Sequence, residues 1–149
     1  MQPILILRLQ YVLLTFLITV GTASAQLSTP VEVFKSPHCE CCWKWVDHLR
    51  RNGFQVTAHN VDSVPDVRKN LGMPNRLGSC HTAKIGGYVI EGHVPAADIQ
   101  RLLKERPTAL GLAVPSMPPG SPGMESNKPI PYETLLVQAD GTTRVFAKH

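Results

Sequence analysis

Three cysteines fall within four residues, Cys39-Glu40-Cys41-Cys42, just after a short apolar run and a Ser-Pro pair. That arrangement restricts the fold more than any other feature of the chain. Val31-Glu32-Val33-Phe34 reads as a strand. Ser36 can cap a helix and Pro37 is tolerated at its first position, so a helix is expected to follow as far as Arg50-Arg51-Asn52, with Gly53 as its stop. Within it Cys42, Trp45, Val46 and Leu49 repeat at the i, i+3, i+4, i+7 spacing of a buried face. The sulfurs are thus expected on the first turn of a helix. Free backbone N–H groups and the positive end of the helix dipole there favour a thiolate over a thiol. The thiolate is both the nucleophile of redox chemistry and the ligand of a soft metal ion, so the position suits either use. Trp43 and Trp45 cannot share one helix face, and one of them is expected to shield the cysteines.

The rest of the chain alternates in kind. Residues 55–60 read as a second strand, and Pro65 to Leu71 as a short helix ended by Gly72 and Pro74. Thr82–Ile85 and Tyr88–Glu91 flank Gly86-Gly87, a two-residue hairpin signal. Pro95 opens a helix with Ile99, Leu102 and Leu103 on one face, which stops at Pro107. The stretch 111–131 holds six of the 13 prolines and reads as one long irregular loop. After it, residues 132–138 and 142–147 read as two strands joined at Ala139-Asp140-Gly141. The expected class is α/β and thioredoxin-like: a central mixed sheet with flanking helices, a Pro-rich loop and a C-terminal β-hairpin. In that order of elements, the segment before the third strand passes beside the first helix. Here it is Ser79-Cys80-His81-Thr82, so Cys80 is expected to meet the cysteine triad.

The 149 residues suit one domain, not all of it mature protein. The first 25 residues carry a single charge, Arg8, then an apolar run from Tyr11 to Val20, then Ala23-Ser24-Ala25. That is the layout of a secretory signal peptide cleaved after Ala25. The expected domains are a leader, 1–25, and a metal-binding domain, 26–149, with no membrane contact after cleavage. The mature part keeps 14 Lys and Arg against 11 Asp and Glu, with Arg50-Arg51 and Arg68-Lys69 the only adjacent basic pairs, so no nucleic acid is expected as a partner. Export permits disulfides. A disulfide framework is a poor use of these four cysteines, however. At most one of the three clustered thiols can form a disulfide with Cys80, and a bridge between near neighbours closes too short a loop to stabilise much.

Cys41 separates the remaining readings. A dithiol oxidoreductase working through Cys39 and Cys42 needs two sulfurs, and a third adjacent thiol invites the wrong pairing. A metal site gains from it: Cys39, Cys41, Cys42 and Cys80 form a four-thiolate set, soft enough for Cu(I), Zn(II) or an iron–sulfur cluster. Further candidate ligands are His81 and His93, then Met117 and Met124 in the Pro-rich loop, whose thioethers suit Cu(I) and whose ordinary use is packing. His38, beside Cys39, is a weaker candidate. His48, His59 and His149 read as surface residues. Spacing alone leaves a soft-metal site, a thiol–disulfide oxidoreductase and a structural zinc site open.

Several motifs in order resemble one family: residues 35–42 (Lys-Ser-Pro-His-Cys-Glu-Cys-Cys), Cys80-His81-Thr82, residues 91–96 (Glu-Gly-His-Val-Pro-Ala), residues 111–115 (Gly-Leu-Ala-Val-Pro) and residues 120–125 (Gly-Ser-Pro-Gly-Met-Glu). They are similar to an exported bacterial metal-binding family long catalogued as a domain of unknown function, which includes the CopG-like periplasmic copper-resistance proteins. The resemblance spans about residues 31–146. It implies a thioredoxin-like fold, a periplasmic location, a role in copper tolerance alongside other periplasmic copper-handling proteins, and copper held by the four cysteines as a multinuclear, redox-active Cu(I)–thiolate cluster. Glu40, between the first two cysteines, departs from the small residue common in such motifs.

Overall fold

The computed structural model describes residues 29–149; the leader expected at 1–25 lies outside the described residues. The elements run β1 (Val31–Lys35), α1 (Glu40–Arg51), β2 (Val56–Asn60), α2 (Val64–Asn70), a 3-10 turn (Asn75–Leu77), β3 (His81–Ile85), β4 (Tyr88–Gly92), α3 (Ala96–Glu105), β5 (Gly111–Val114), β6 (Glu133–Val137) and β7 (Thr143–Lys148). The strands form one mixed sheet in the order β2-β1-β3-β4-β5-β6-β7. β1 pairs parallel with β2 and β4 with β5, and the other neighbours are antiparallel. The α/β class, the mixed sheet and the terminal hairpin expected from the sequence are all present.

Two boundaries differ from expectation. Helix α1 begins at Glu40, with Cys39 rather than Ser36 as its N-cap: the Cys42 N–H donates to Cys39 Sγ at 3.3 Å, and Ser36-Pro37-His38 form the turn before it. The stretch 111–131 is also not loop throughout. Its first four residues are β5, all buried, paired parallel to β4 through the α3 crossover. The density of proline that marks the loop begins only at Pro115, and Leu112-Ala113-Val114 before it is an apolar run that the sheet can bury on both faces.

Sheet alternation divides the core in two. Ala83, Ile85, Tyr88 and Ile90 join Trp45, Val46 and Leu49 of α1 and Ile99 and Leu102 of α3 in the larger cluster. Val89, one residue out of phase with Tyr88 and Ile90, packs with Met73 and Leu77 in the smaller cluster. Glu91 shares the parity of Val89, so its side chain leaves the sheet toward α2. No helix among the described residues is long and apolar enough to cross a membrane.

Candidate metal centre

The end of β1 delivers the chain to the α1 N-terminus, and antiparallel pairing of Lys35 with His81 brings the start of β3 alongside it. This register carries Cys80 to the cysteine triad. Cys39 and Cys42 are joined by a disulfide, and Cys41 and Cys80 are free. Cys41 Sγ lies 3.4 Å from Cys39 Sγ and 3.5 Å from Cys80 Sγ, so it sits between the disulfide and the distant cysteine. All four sulfurs lie within 4.8 Å of one another. A four-sulfur ligand set therefore exists in position, but only reduction of Cys39–Cys42 makes two of its members thiolates.

His81 and His93 both reach the same place. Cys80 Sγ, His81 and His93 each offer a ligand atom within 4.8 Å of the others. His93 Nε2 is 3.1 Å from Cys80 Sγ and His81 Nδ1 is 3.5 Å from it. His93 Nδ1 donates to the Pro122 carbonyl at 2.8 Å; a carbonyl can only accept, so the neutral ring presents an unprotonated Nε2 to the sulfur. The His81 ring packs on Trp45 at 4.3 Å, and its buried Nε2 has no hydrogen-bond partner. Burial pushes both imidazoles below their ordinary value, His81 well below with the nearby His93 as a second cause. Both are neutral and able to accept or ligate at pH 7. The Cys80 thiol is pushed up to about 12, first by burial and then by the Cys41 thiol beside it, while the Ser79 hydroxyl pulls the other way. Cys80 therefore carries its proton at neutral pH, and a metal must displace it.

The Pro-rich loop closes one side of the site. Gly123 lies against α1 with φ +85°, and a Cβ there would stand 2.7 Å from Cys41 O and 2.9 Å from Trp45 N. Only glycine brings the loop this close. Met117 and Met124 line an open cavity of about 380 Å³ together with Cys39, Cys41, Glu40, Lys44 and Glu125. The two methionines thus flank the mouth of the site, with Met117 exposed. The Gly123 N–H donates to Glu125 Oε1 at 2.7 Å, and this bond is the main cause holding that carboxylate below its usual range.

Other expectations need correcting. His38 is exposed in the turn before α1 and belongs to neither ligand group. His48 is no bystander: its Nε2 accepts the Ala96 N–H at 3.0 Å, at the first residue of α3. His149 is tucked in, with Nε2 2.9 Å from Asp98 Oδ2 and its ring stacked on Tyr132. His59 is partly exposed and stacks on Phe34, as suits a surface position. Of the two indoles, Trp45 is the buried one, donating Nε1–H to Val94 O at 2.9 Å, and Trp43 is exposed under the Lys35 ammonium. Sequence reasoning missed Arg68 and Glu91, which are buried together beside the site. The signal was there: a single carboxylate in the apolar strand Tyr88-Val89-Ile90-Glu91 must find a buried partner.

The four sulfurs, and the two neutral imidazoles grouped with Cys80, make two donor sets that share Cys80 and together are soft and mixed. Two solved structures, titled "Copper resistance protein copG- Form 2" and "Copper resistance protein copG- Form 1", are each 42% identical to the chain; each match covers 82% of this chain and 98% of theirs, with TM-scores of 0.78 and 0.77. The chain belongs to the CopG-like copper-resistance family. A family described as "Protein of unknown function, DUF411" also matches, over residues 77–124. That span takes in Cys80, His81, His93, Met117 and Met124 and leaves out the first three cysteines. No curated protein matches the chain.

Proposed function

We propose that the chain is a periplasmic copper-binding protein of copper tolerance, exported on a leader cleaved after Ala25. In its reduced form Cys39, Cys41, Cys42 and Cys80 hold Cu(I), with His93 and His81 as nitrogen ligands and Met117 and Met124 at the entrance. The observation that carries this reading is the convergence of four sulfurs from two distant segments within 4.8 Å. Soft sulfur ligands select Cu(I) over the hard ions of the cell exterior. So many sulfurs in so small a space suit several ions sharing thiolates, and copper bound there would supply one-electron redox chemistry. The chain's own residues keep Cys80 protonated until metal arrives and keep both imidazoles neutral, with His93 Nε2 left unprotonated toward the sulfur. The two CopG titles and the donor set favour copper over zinc.

Anaerobic titration of the reduced mature chain with Cu(I), against a chromophoric chelator, tests the reading. Tight uptake of at least one ion, weakened in Cys41→Ser and in Cys80→Ser, is the expected result. A chain that leaves all the copper on the chelator removes it.

A second reading is favoured by the disulfide between Cys39 and Cys42 with a free thiol 3.4 Å away. As a thiol–disulfide oxidoreductase, the pair would take up two electrons and two protons from a substrate dithiol and leave that substrate oxidised. Insulin reduction by the metal-free chain, with dithiothreitol added to reduce the Cys39–Cys42 pair and so run the same exchange in reverse, separates the readings: activity that survives Cys80→Ser but not Cys39→Ser favours the oxidoreductase.

A further inference from the structure

We propose that Arg68 and Glu91 are positioning residues: one buried ion pair fastens the Ser79–Thr82 segment at both ends and so fixes Cys80 beside Cys41. Glu91 is fully buried on β4 and Arg68 is 5% exposed on α2. Glu91 Oε1 accepts from Arg68 Nε at 2.8 Å and from the Ser79 N–H at 2.7 Å. Glu91 Oε2 accepts from the Thr82 hydroxyl at 2.6 Å. The guanidinium also donates to the Ser79 carbonyl at 2.6 Å. A single carboxylate thus holds the residue before Cys80 and the residue after His81.

The surroundings fit this role. A Cβ at Gly78 would stand 2.7 Å from Arg68 Nη1 and 2.9 Å from its Cζ, so the backbone gives way to let the guanidinium in. The clamp extends to the Met117 loop, because the Ser116 N–H donates to Gly78 O at 3.0 Å and the Ser79 hydroxyl donates to Ser116 O. Stability gives little reason for such a pair. Two charges lose their hydration on burial, and well-packed apolar replacements are often neutral or better. What a buried pair supplies is a fixed register: the forked guanidinium and the carboxylate that accepts three hydrogen bonds are satisfied in one placement of residues 79–82. Cys80 needs that placement, because its sulfur has to sit 3.5 Å from Cys41 and 3.1 Å from His93 at once.

The inference rests on the copper reading only for its metal arm. The metal-free arm uses the mature chain with Cys39–Cys42 oxidised and Cys41 and Cys80 free. Dibromobimane, which joins two thiols only when they are close, is expected to link Cys41 to Cys80 rapidly in the natural sequence. The double variant Arg68→Met with Glu91→Leu is expected to stay folded by circular dichroism and urea midpoint, yet to cross-link about tenfold more slowly. Thr82→Val, which removes one anchor, is expected to slow the reaction about fivefold. In the metal arm, the double variant is expected to bind Cu(I) roughly 10–100-fold more weakly. A folded double variant that cross-links at the natural rate overturns the proposal. If that variant does not fold, an unchanged rate in Thr82→Val overturns it instead. A natural chain that cross-links but takes up no copper would sink the copper reading and leave the clamp standing.

Discussion

His93 points Nε2 at Cys80 Sγ across 3.1 Å because its other nitrogen is held by the Pro122 carbonyl. The ring is thereby fixed in the tautomer that a ligand needs, by a loop distant in sequence. His93→Phe keeps an aromatic ring but removes both nitrogens. It is expected to weaken Cu(I) binding by roughly 10–100-fold while leaving the Cys39–Cys42 disulfide formed. Chelator competition on the reduced variant, with mass analysis of the oxidised one, checks both halves. Unchanged affinity would show that the imidazole contributes nothing to the site.

Burial and the Cys41 thiol raise Cys80 from 9.0 to about 12. Only the thiolate reacts with alkylating agents, and below the pKa its fraction rises about tenfold per pH unit. In the metal-free oxidised chain, the iodoacetamide rate at Cys80 is therefore expected to climb about tenfold per unit from pH 7 to 9 without levelling. The folded state holds this proton more tightly than the unfolded state does. Stability from this group is thus present below pH 9 and is lost as the pH rises toward 12. A plateau in the labelling rate before pH 9 would contradict the raised value.

Much of this was legible from local signals. The hairpin at Gly86-Gly87 and the buried face Cys42, Trp45, Val46, Leu49 follow from turn chemistry and helical period. The meeting of Cys80 with the triad followed from element order. What stayed hidden depends on partners distant in sequence. β5 is indistinguishable from the loop in sequence because a four-residue strand has no period of its own and exists only by pairing with β4. His48 and His149 look solitary in sequence, and nothing there shows that α3 brings Ala96 and Asp98 to them. Cys39 took the cap from Ser36 because its sulfur reaches the Cys42 N–H, a role usually filled by an oxygen. The oxidised state of Cys39–Cys42 is likewise not encoded by spacing, which fits a dithiol as well as a disulfide.

The Pro-rich loop should fail at one atom. Gly123→Ala adds a methyl group that meets Cys41 O and Trp45 N at a backbone angle that alanine disfavours. A cost of about 1–3 kcal/mol in urea unfolding is expected. The displaced loop also takes the Pro122 carbonyl away from His93, so the imidazole loses its fixed tautomer. Exposure of Cys41 should rise, read as faster alkylation than in the natural chain. A variant with natural stability and labelling would mean that the loop is not pressed on α1 in solution.

Acid should loosen the contact between α1 and α3 through His48. Its Nε2 accepts the Ala96 N–H, which a protonated ring cannot do. Burial lowers His48 from 6.5, Arg51 adds to the lowering, and Glu125 opposes it. A histidine lowered in the folded state is protonated more readily in the unfolded chain, so stability rises with pH through this window. The contribution is complete above about pH 6.5 and is lost as the pH falls below it toward the folded value. His81 and His93 are lowered in the same direction and add to the loss. In His48→Gln the side-chain carbonyl can still accept from Ala96 and does not titrate. Between pH 7 and 5 its urea midpoint is expected to fall less steeply than that of the natural chain, by roughly 1 kcal/mol or less in unfolding free energy. Parallel pH profiles for the two proteins would place the acid sensitivity on the two imidazoles at the sulfur cluster, because His48 would then titrate alike in the folded and unfolded chain.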